Sequence, residues 1–466
     1  MKTKWLLLVS VLIFSVTAAE QTWRYQLLEG GFLIDECLIC GRPTFQIPMR
    51  GSFNLRKGAM SPIAQKFLIE NAEFTAGPDY TFKGSGTYDL VGDFAVRQVV
   101  TLTGMLETPG GTNKVAFTNE TSAPTRRWPM LQFRLAQTNG TLVSTITLDI
   151  AAAPLREIWF STRTNFARAI KLDNTVSDGD LLSTVGRIVK RNAELQNFPG
   201  PTYLNMGLDA VDILPGGEIA FSTETKGVLN DGDFAIARTG AIRNWQDFMP
   251  LVAPGLTTDP GLDALQLEGS NKIYFSTKQD MNDGTIGHGD IVLVDTDAPT
   301  GSVFKKNADL LARFHPAVAQ DYGLDAIYIW PNGEIWFSTA SEFTDNELGA
   351  ISDGDLLSDA GYIVYRNADL TAALQPLGEP PTNFGLDALF VISDFAATTE
   401  DVSLAVGIDR ASNAALLSWK GTGRVFQLYR AADVTGPWEV WTPIMAESQL
   451  LEPLASARSF YRLRQW

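Results

Sequence analysis

The sequence predicts an all-β protein in three parts, and three observations carry that expectation. Four imperfect copies of one pattern fill the middle of the 466-residue chain at a period near 60 residues, as modular β architectures do. Before them, Leu131-Gln132-Phe133-Arg134-Leu135 and Leu142-Val143-Ser144-Thr145-Ile146-Thr147-Leu148 alternate apolar and polar residues around Asn139-Gly140, a strong hairpin signal. No segment shows a long apolar period of 3.6 residues. With 45% hydrophobic and 10% aromatic residues, the composition is that of a folded chain rather than a disordered one.

Residues 1–19 read as a secretory signal. Met1-Lys2-Thr3-Lys4 gives a positive start, Trp5 to Val16 an apolar run, and Val16-Thr17-Ala18-Ala19 small residues for cleavage near Ala18/Ala19. The run is too short for a comfortable span, and no later segment reaches about 18 uninterrupted apolar residues, so no membrane span is expected. The reading is a secreted or cell-envelope protein. In such a compartment Cys37 and Cys40, in Cys-Leu-Ile-Cys, are expected to close a small disulfide; a redox pair is the alternative, without a βαβ context to support it.

Residues 20–150 are expected to form a β-sandwich or barrel-like domain, with Gly84-Ser85-Gly86 and Pro109-Gly110-Gly111 punctuating its strands. Residues 151–396 hold the repeats. Glu157-Ile158-Trp159-Phe160-Ser161-Thr162 recurs at 218–223, 272–277 and 334–339. Gly-Asp turns follow at Asp178-Gly179-Asp180, Asp231-Gly232-Asp233, His288-Gly289-Asp290 and Asp353-Gly354-Asp355. Arg-Asn-Ala segments come next in the first and fourth units, weaker in the third and degenerate in the second, and Gly-Leu-Asp-Ala closes each unit at 207–210, 261–264, 323–326 and 385–388. A strand such as Ile-Trp-Phe, apolar on both sides, fits a sheet covered on both faces, as in a propeller blade. Unit phase points the same way. The first unit lacks a clear Gly-Leu-Asp-Ala strand and the fourth copy arrives last, so a late strand completing the first sheet would close a ring. A worn copy at Leu148-Asp149 would instead leave the last one spare.

Residues 397–466 read as a small β-sandwich, with strands at 415–419, 425–430 and 459–464 and a turn at Thr435-Gly436-Pro437-Trp438. About 70 residues is small for a free-standing sandwich, which predicts docking on a neighbour.

Two resemblances follow. The unit best seen at 323–339, Gly-Leu-Asp-Ala leading to Pro-Asn-Gly-Glu-Ile-Trp-Phe-Ser-Thr, resembles the blades of secreted bacterial β-propeller repeat proteins, over residues about 148–394. The tail looks like a shortened fibronectin type III-like module, on Leu417-Ser418-Trp419, Tyr429-Arg430, Thr435-Gly436-Pro437 and Phe460-Tyr461-Arg462-Leu463. The first resemblance implies a four-repeat β-propeller-like fold and leaves activity open, since propellers serve many functions. The second implies attachment or spacing. Small four-bladed propellers often carry ions in a central channel.

That last implication directs attention to Asp209, Asp263, Asp325 and Asp387, one per unit. If their strands line one axis, the four carboxylates repel unless protonated or bound to a cation, and Ca²⁺ suits an oxygen-only site. The alternative is that each caps its own turn. The Asp-rich turns lack the spacing of a calcium loop and read as solvated Asx turns. Trp159, Tyr274 and Trp336, at matching positions, read as core between sheets rather than sugar-stacking platforms. Arg126-Arg127-Trp128 reads as a loop anchor.

Chemistry has little support in the sequence. Only His288 and His315 exist, and no nucleophile elbow, zinc-protease helix or phosphate-binding loop is present, so no catalytic residue is assigned. The net charge of −16 becomes −18 when Lys2 and Lys4 leave with the signal, which disfavours nucleic acid as a partner. The expectation is an exported, non-catalytic binding or scaffolding protein with an extracellular polymer or protein ligand. The alternative is a divalent-cation-dependent propeller hydrolase or lyase acting on an extracellular polymer.

Overall fold

The computed structural model describes residues 21–37, 39, 41–92, 95–139, 144–169, 174–196, 205–269, 271–378, 383–395, 402–409, 414–453 and 459–466. The expected signal, Cys40 and Gly140 lie outside the described residues. The fold is all-β, built from antiparallel sheets.

Nine strands come first: β1 (Thr22–Leu27), β2 (Phe32–Cys37), β3 (Phe45–Ser61), β4 (Ala64–Ala76), β5 (Tyr80–Val91), β6 (Arg97–Thr108), β7 (Gly111–Thr118), β8 (Leu131–Gln137) and β9 (Ser144–Ala153). From β4 to β9 each strand pairs with the next, β9 pairs with β2, β2 with β3, and β3 with β4. The sheet therefore closes on itself as a barrel, with β1 continuing the place of β2 between β3 and β9. Closure leaves no edge to protect. Its inside is filled by one core that includes Tyr25, Phe53, Phe74, Phe82 and Phe117. One sequence expectation is corrected here. Gly84-Ser85-Gly86 is no turn but the middle of β5, where a Cβ on Gly86 would lie 1.8 Å from the Thr101 carbonyl oxygen across the strand pair.

Four four-stranded sheets follow. The second runs Val211–Leu214, Glu218–Phe221, Phe234–Ile236, Ala241–Arg243; the third Leu265–Glu268, Lys272–Phe275, Ile291–Asp295, Thr300–Lys305. The fourth runs Ala326–Ile329, Ile335–Ser338, Leu356–Ser358, Tyr362–Tyr365. The first joins Glu157–Phe160, Leu181–Ser183 and Ile188–Lys190 to a strand from the far end of the region, Leu389–Ile392. The inner strands, Val211–Leu214, Leu265–Glu268, Ala326–Ile329 and Leu389–Ile392, neighbour one another in a closed cycle. Leu148-Asp149 belongs to β9 of the barrel, so the last inner strand is not spare.

Two repeated devices hold these sheets. The buried serine after each aromatic strand reaches sideways: Ser161, Ser276 and Ser338 donate to the carbonyls of Leu208, Leu324 and Leu386 in the next sheet. The second Asp of each Gly-Asp turn is buried rather than solvated, which corrects the sequence reading. Asp180, Asp233, Asp290 and Asp355 accept the N–H groups of Asn192, Trp245, Asn307 and Asn367 at 2.8, 2.9, 2.9 and 3.0 Å. They thus satisfy orphan donors at the starts of short helical turns. Trp159 and Trp336 are fully buried, whereas Tyr274 is half-buried and packs on Phe304 at 5.1 Å.

The three parts are fastened by charge. Arg50 of β3 pairs with Asp369 at 2.6 Å, Arg126 lies 3.6 Å over the Tyr362 ring, and Arg127 donates to the Asn332 carbonyl. The last part contains two three-stranded sheets, with Trp419 and Phe426 of different sheets 6.0 Å apart. It docks on the ring through Arg424, which pairs with Asp212 at 2.8 Å, donates to the Leu267 carbonyl and lies 5.9 Å from the Phe390 ring. Arg424 also acts on Tyr328, so its charge reaches a residue on every inner strand. Arg424 thus spans the four inner strands at one end.

Candidate functional site at the aspartate end of the inner strands

Each inner strand is entered through Gly-Leu-Asp-Ala. Gly207, Gly261, Gly323 and Gly385 have φ between +72 and +76°, a region that favours glycine. A Cβ there would come within 2.5–3.0 Å of the Cβ of Glu224, Lys278, Ala340 and Arg163 respectively. The turn therefore brings the residue after each Ser-Thr against the Asp that follows the glycine.

This places Asp209, Asp263, Asp325 and Asp387 at one end of the four inner strands, each at most 8% exposed. About 10 Å of strand separates them from the Arg424 end. They are not equivalent. Arg163 pairs with Asp325, with Asp353 at 2.6 Å and with Asp387 at 3.4 Å. Lys278 lies 3.4 Å from Asp209 and 3.0 Å from Glu224, and donates to the Glu224 carbonyl at 2.8 Å. Asp263 makes no side-chain hydrogen bond or ion pair among the described residues. Four aspartates and Glu224 thus face two fixed cations. Among the described residues, no three of the repeated aspartates bring ligand atoms within 4.8 Å of one another. Arg163 and Lys278 stand among them where the sequence suggested Ca²⁺.

The electrostatics follow from burial. Desolvation pushes the Asp263 carboxyl up to about 7, although Lys278 pulls it down; Glu224 adds to the rise, while Arg163 and His288 lower it. Desolvation likewise lifts Asp387 to about 7 against Arg163. Asp209 is held well above the ordinary range by burial, relieved in part by Lys278 and reinforced by Asp263 and Glu224. Burial also pushes Glu224 upward, but Asp209 and Lys278 outweigh it and hold it below the usual carboxylate range. Asp209 and Glu224 therefore titrate as a pair.

The sequence located the aspartates but missed Arg163, Glu224 and Lys278. A signal existed: directly after the constant Phe-Ser-Thr, the position reads Arg, Glu, Lys, Ala, four different residues in four repeats. Cys37 is buried at the end of β2, whereas its expected partner lies outside the described residues. His315 is an exposed turn residue 3.4 Å from Glu347.

No family model and no curated protein matches the sequence. Among solved structures, the extracellular domain of a putative hybrid two-component system from B. thetaiotaomicron is similar at 10% identity. The likeness covers 93% of this chain and 82% of that one, with a TM-score of 0.21.

Proposed function

We propose that this is an exported, non-catalytic binding protein built on a four-bladed propeller-like ring with a fibronectin type III-like tail. In this reading it meets an extracellular polymer or protein at the acidic end of the ring axis. One observation carries it: Arg424 of the tail spans the inner strands at one end, while four aspartates and Glu224 gather around Arg163 and Lys278 at the other. Once its raised carboxyls ionise, such a cluster favours cationic groups over polyanions. Export through cleavage near Ala18/Ala19 and a Cys37–Cys40 disulfide complete the reading; mass spectrometry of the secreted protein tests both.

The binding test uses immobilised wild-type protein and a panel of basic peptides and amine-bearing polysaccharides. Asp263→Asn combined with Glu224→Gln is expected to weaken capture at least tenfold, and wild-type capture is expected to fall with added salt. Capture indifferent to both changes overturns the axial assignment. The inequality of the four acids favours a second reading, a cation-dependent hydrolase or lyase of an extracellular polymer. Release of soluble fragments that stops on chelation would establish it over the first.

A further inference from the structure

The third repeat departs from the others at the centre of three positions that the fold brings together, with His288 where they have an aspartate. In the first repeat, the central Asp178 donates its backbone N–H to Asn165 at 2.7 Å and accepts from the Asn205 side chain. In the fourth, the positions are Glu342, Asp353 and Asn383, and Asn383 donates to Asp353. In the second they are Lys226, Asp231 and Asp259, with Lys226 and Asp231 paired at 3.6 Å. In the other repeats this place therefore holds a central aspartate with an amide or ammonium neighbour.

The third repeat inverts that chemistry, with an imidazole at the centre and a carboxylate on each side. His288 Nδ1 lies 2.9 Å from Asp280 Oδ1 and 3.9 Å from Asp321 Oδ2. All three ligand atoms fall within 4.8 Å of one another. Both carboxylates are already oriented by backbone donors: Asp321 accepts from Gly289 at 3.1 Å and Gly323 at 2.9 Å, and Asp280 from His288 at 2.9 Å. Such outer contacts are what a metal ligand needs to hold its direction. Among the described residues, no other three such side chains bring their ligand atoms so close together.

We propose that Asp280, His288 and Asp321 form a binding site for a divalent transition-metal ion of the Zn²⁺ type. One imidazole and two carboxylates are a borderline-to-hard set that suits Zn²⁺ or Co²⁺ better than an all-oxygen ion such as Ca²⁺. Three protein ligands leave a coordination position for water or for a donor atom of a bound partner. This site does not depend on what the axial acids bind.

The test is calorimetric titration of the metal-free full chain with ZnCl₂, together with the visible spectrum of the Co²⁺ form. One equivalent is expected to bind, with a Co²⁺ spectrum that disappears in His288→Gln. Since the chain has two histidines, His315→Gln is the internal control and is expected to bind as the wild type does. Asp280→Asn preserves the acceptor that Asn165 supplies in the first repeat, so its melting temperature is expected to be unchanged. Its Zn²⁺ affinity is expected to fall about 10–100-fold. Absence of Zn²⁺ binding overturns the proposal and leaves a His288–Asp280 hydrogen bond beside Asp321. Wild-type affinity in His288→Gln or in Asp280→Asn, or loss of binding in His315→Gln, overturns it as well.

Discussion

At the scale of single residues, the axial end is decided by which acids have partners. Arg163 serves Asp325, Asp353 and Asp387 at once, so Arg163→Ala strands buried charge. Removing one partner of a buried pair costs about 3–5 kcal/mol; with Arg163 a third exposed, about 2–3 kcal/mol is expected by denaturant unfolding. Asp263 behaves in the opposite way. Its native value of about 7 stands above the roughly 4 of an unfolded aspartate, and Asp387 shares that shift. The folded state then binds more protons between those values. The stabilisation from protonating these acids is complete below about pH 4 and lost as pH rises toward 7. Melting temperature is therefore expected to fall from pH 5 to pH 7.5. Asp263→Asn should raise stability at pH 7.5 by on the order of 1–3 kcal/mol and flatten that slope. A wild-type curve that rises over this range would contradict the assignment.

At the scale of elements, what the sequence made legible was what repeats. Constant Gly-Leu-Asp-Ala and Phe-Ser-Thr segments became inner strands and their neighbours, and the late Leu389–Ile392 strand joined Glu157–Phe160. What escaped was whatever depends on burial rather than composition. Asp355 looked like a solvated turn residue. In the fold it accepts from the Asn367 and Ser352 backbones at 3.0 and 3.1 Å and from Arg366 at 2.8 Å. Asp355→Ala removes three acceptor contacts from buried or half-buried donors. A loss of about 2–4 kcal/mol is expected, with hydrogen exchange accelerating first in residues 352–371. Uniform acceleration across all four sheets would show that the clamp is not local. Closure of the barrel was equally hidden, because β3 pairs with β1, β2 and β4 along 17 residues and no local pattern announces such sharing.

At the scale of the whole molecule, Asp394 joins all three parts, and nothing in its local sequence marks it. It follows the last inner strand and is only 6% exposed. It accepts from the Arg24 backbone of β1 at 2.8 Å, from Arg156 beside the first sheet at 2.7 Å, and from Arg464 and Trp466 of the final strand at 2.6 and 2.7 Å. Burial alone would raise its pKa; Arg156 and then Arg464 and Trp466 outweigh that and hold it below the ordinary value. For a depressed acid the sign is the reverse of Asp263. Its stabilisation is present above about pH 4 and is lost only as pH falls through its lowered native value. Asp394→Asn keeps the shape and removes the charge from between two half-buried guanidinium groups. A cost of about 2–4 kcal/mol follows. It should be nearly constant from pH 5 to pH 7.5, unlike the contribution of the axial acids. Because the lost contacts tie the tail and barrel to the ring, calorimetry is expected to split one transition into two. A single transition shifted as a whole would mean that Arg424 and the apolar contacts of the tail suffice to keep the parts together.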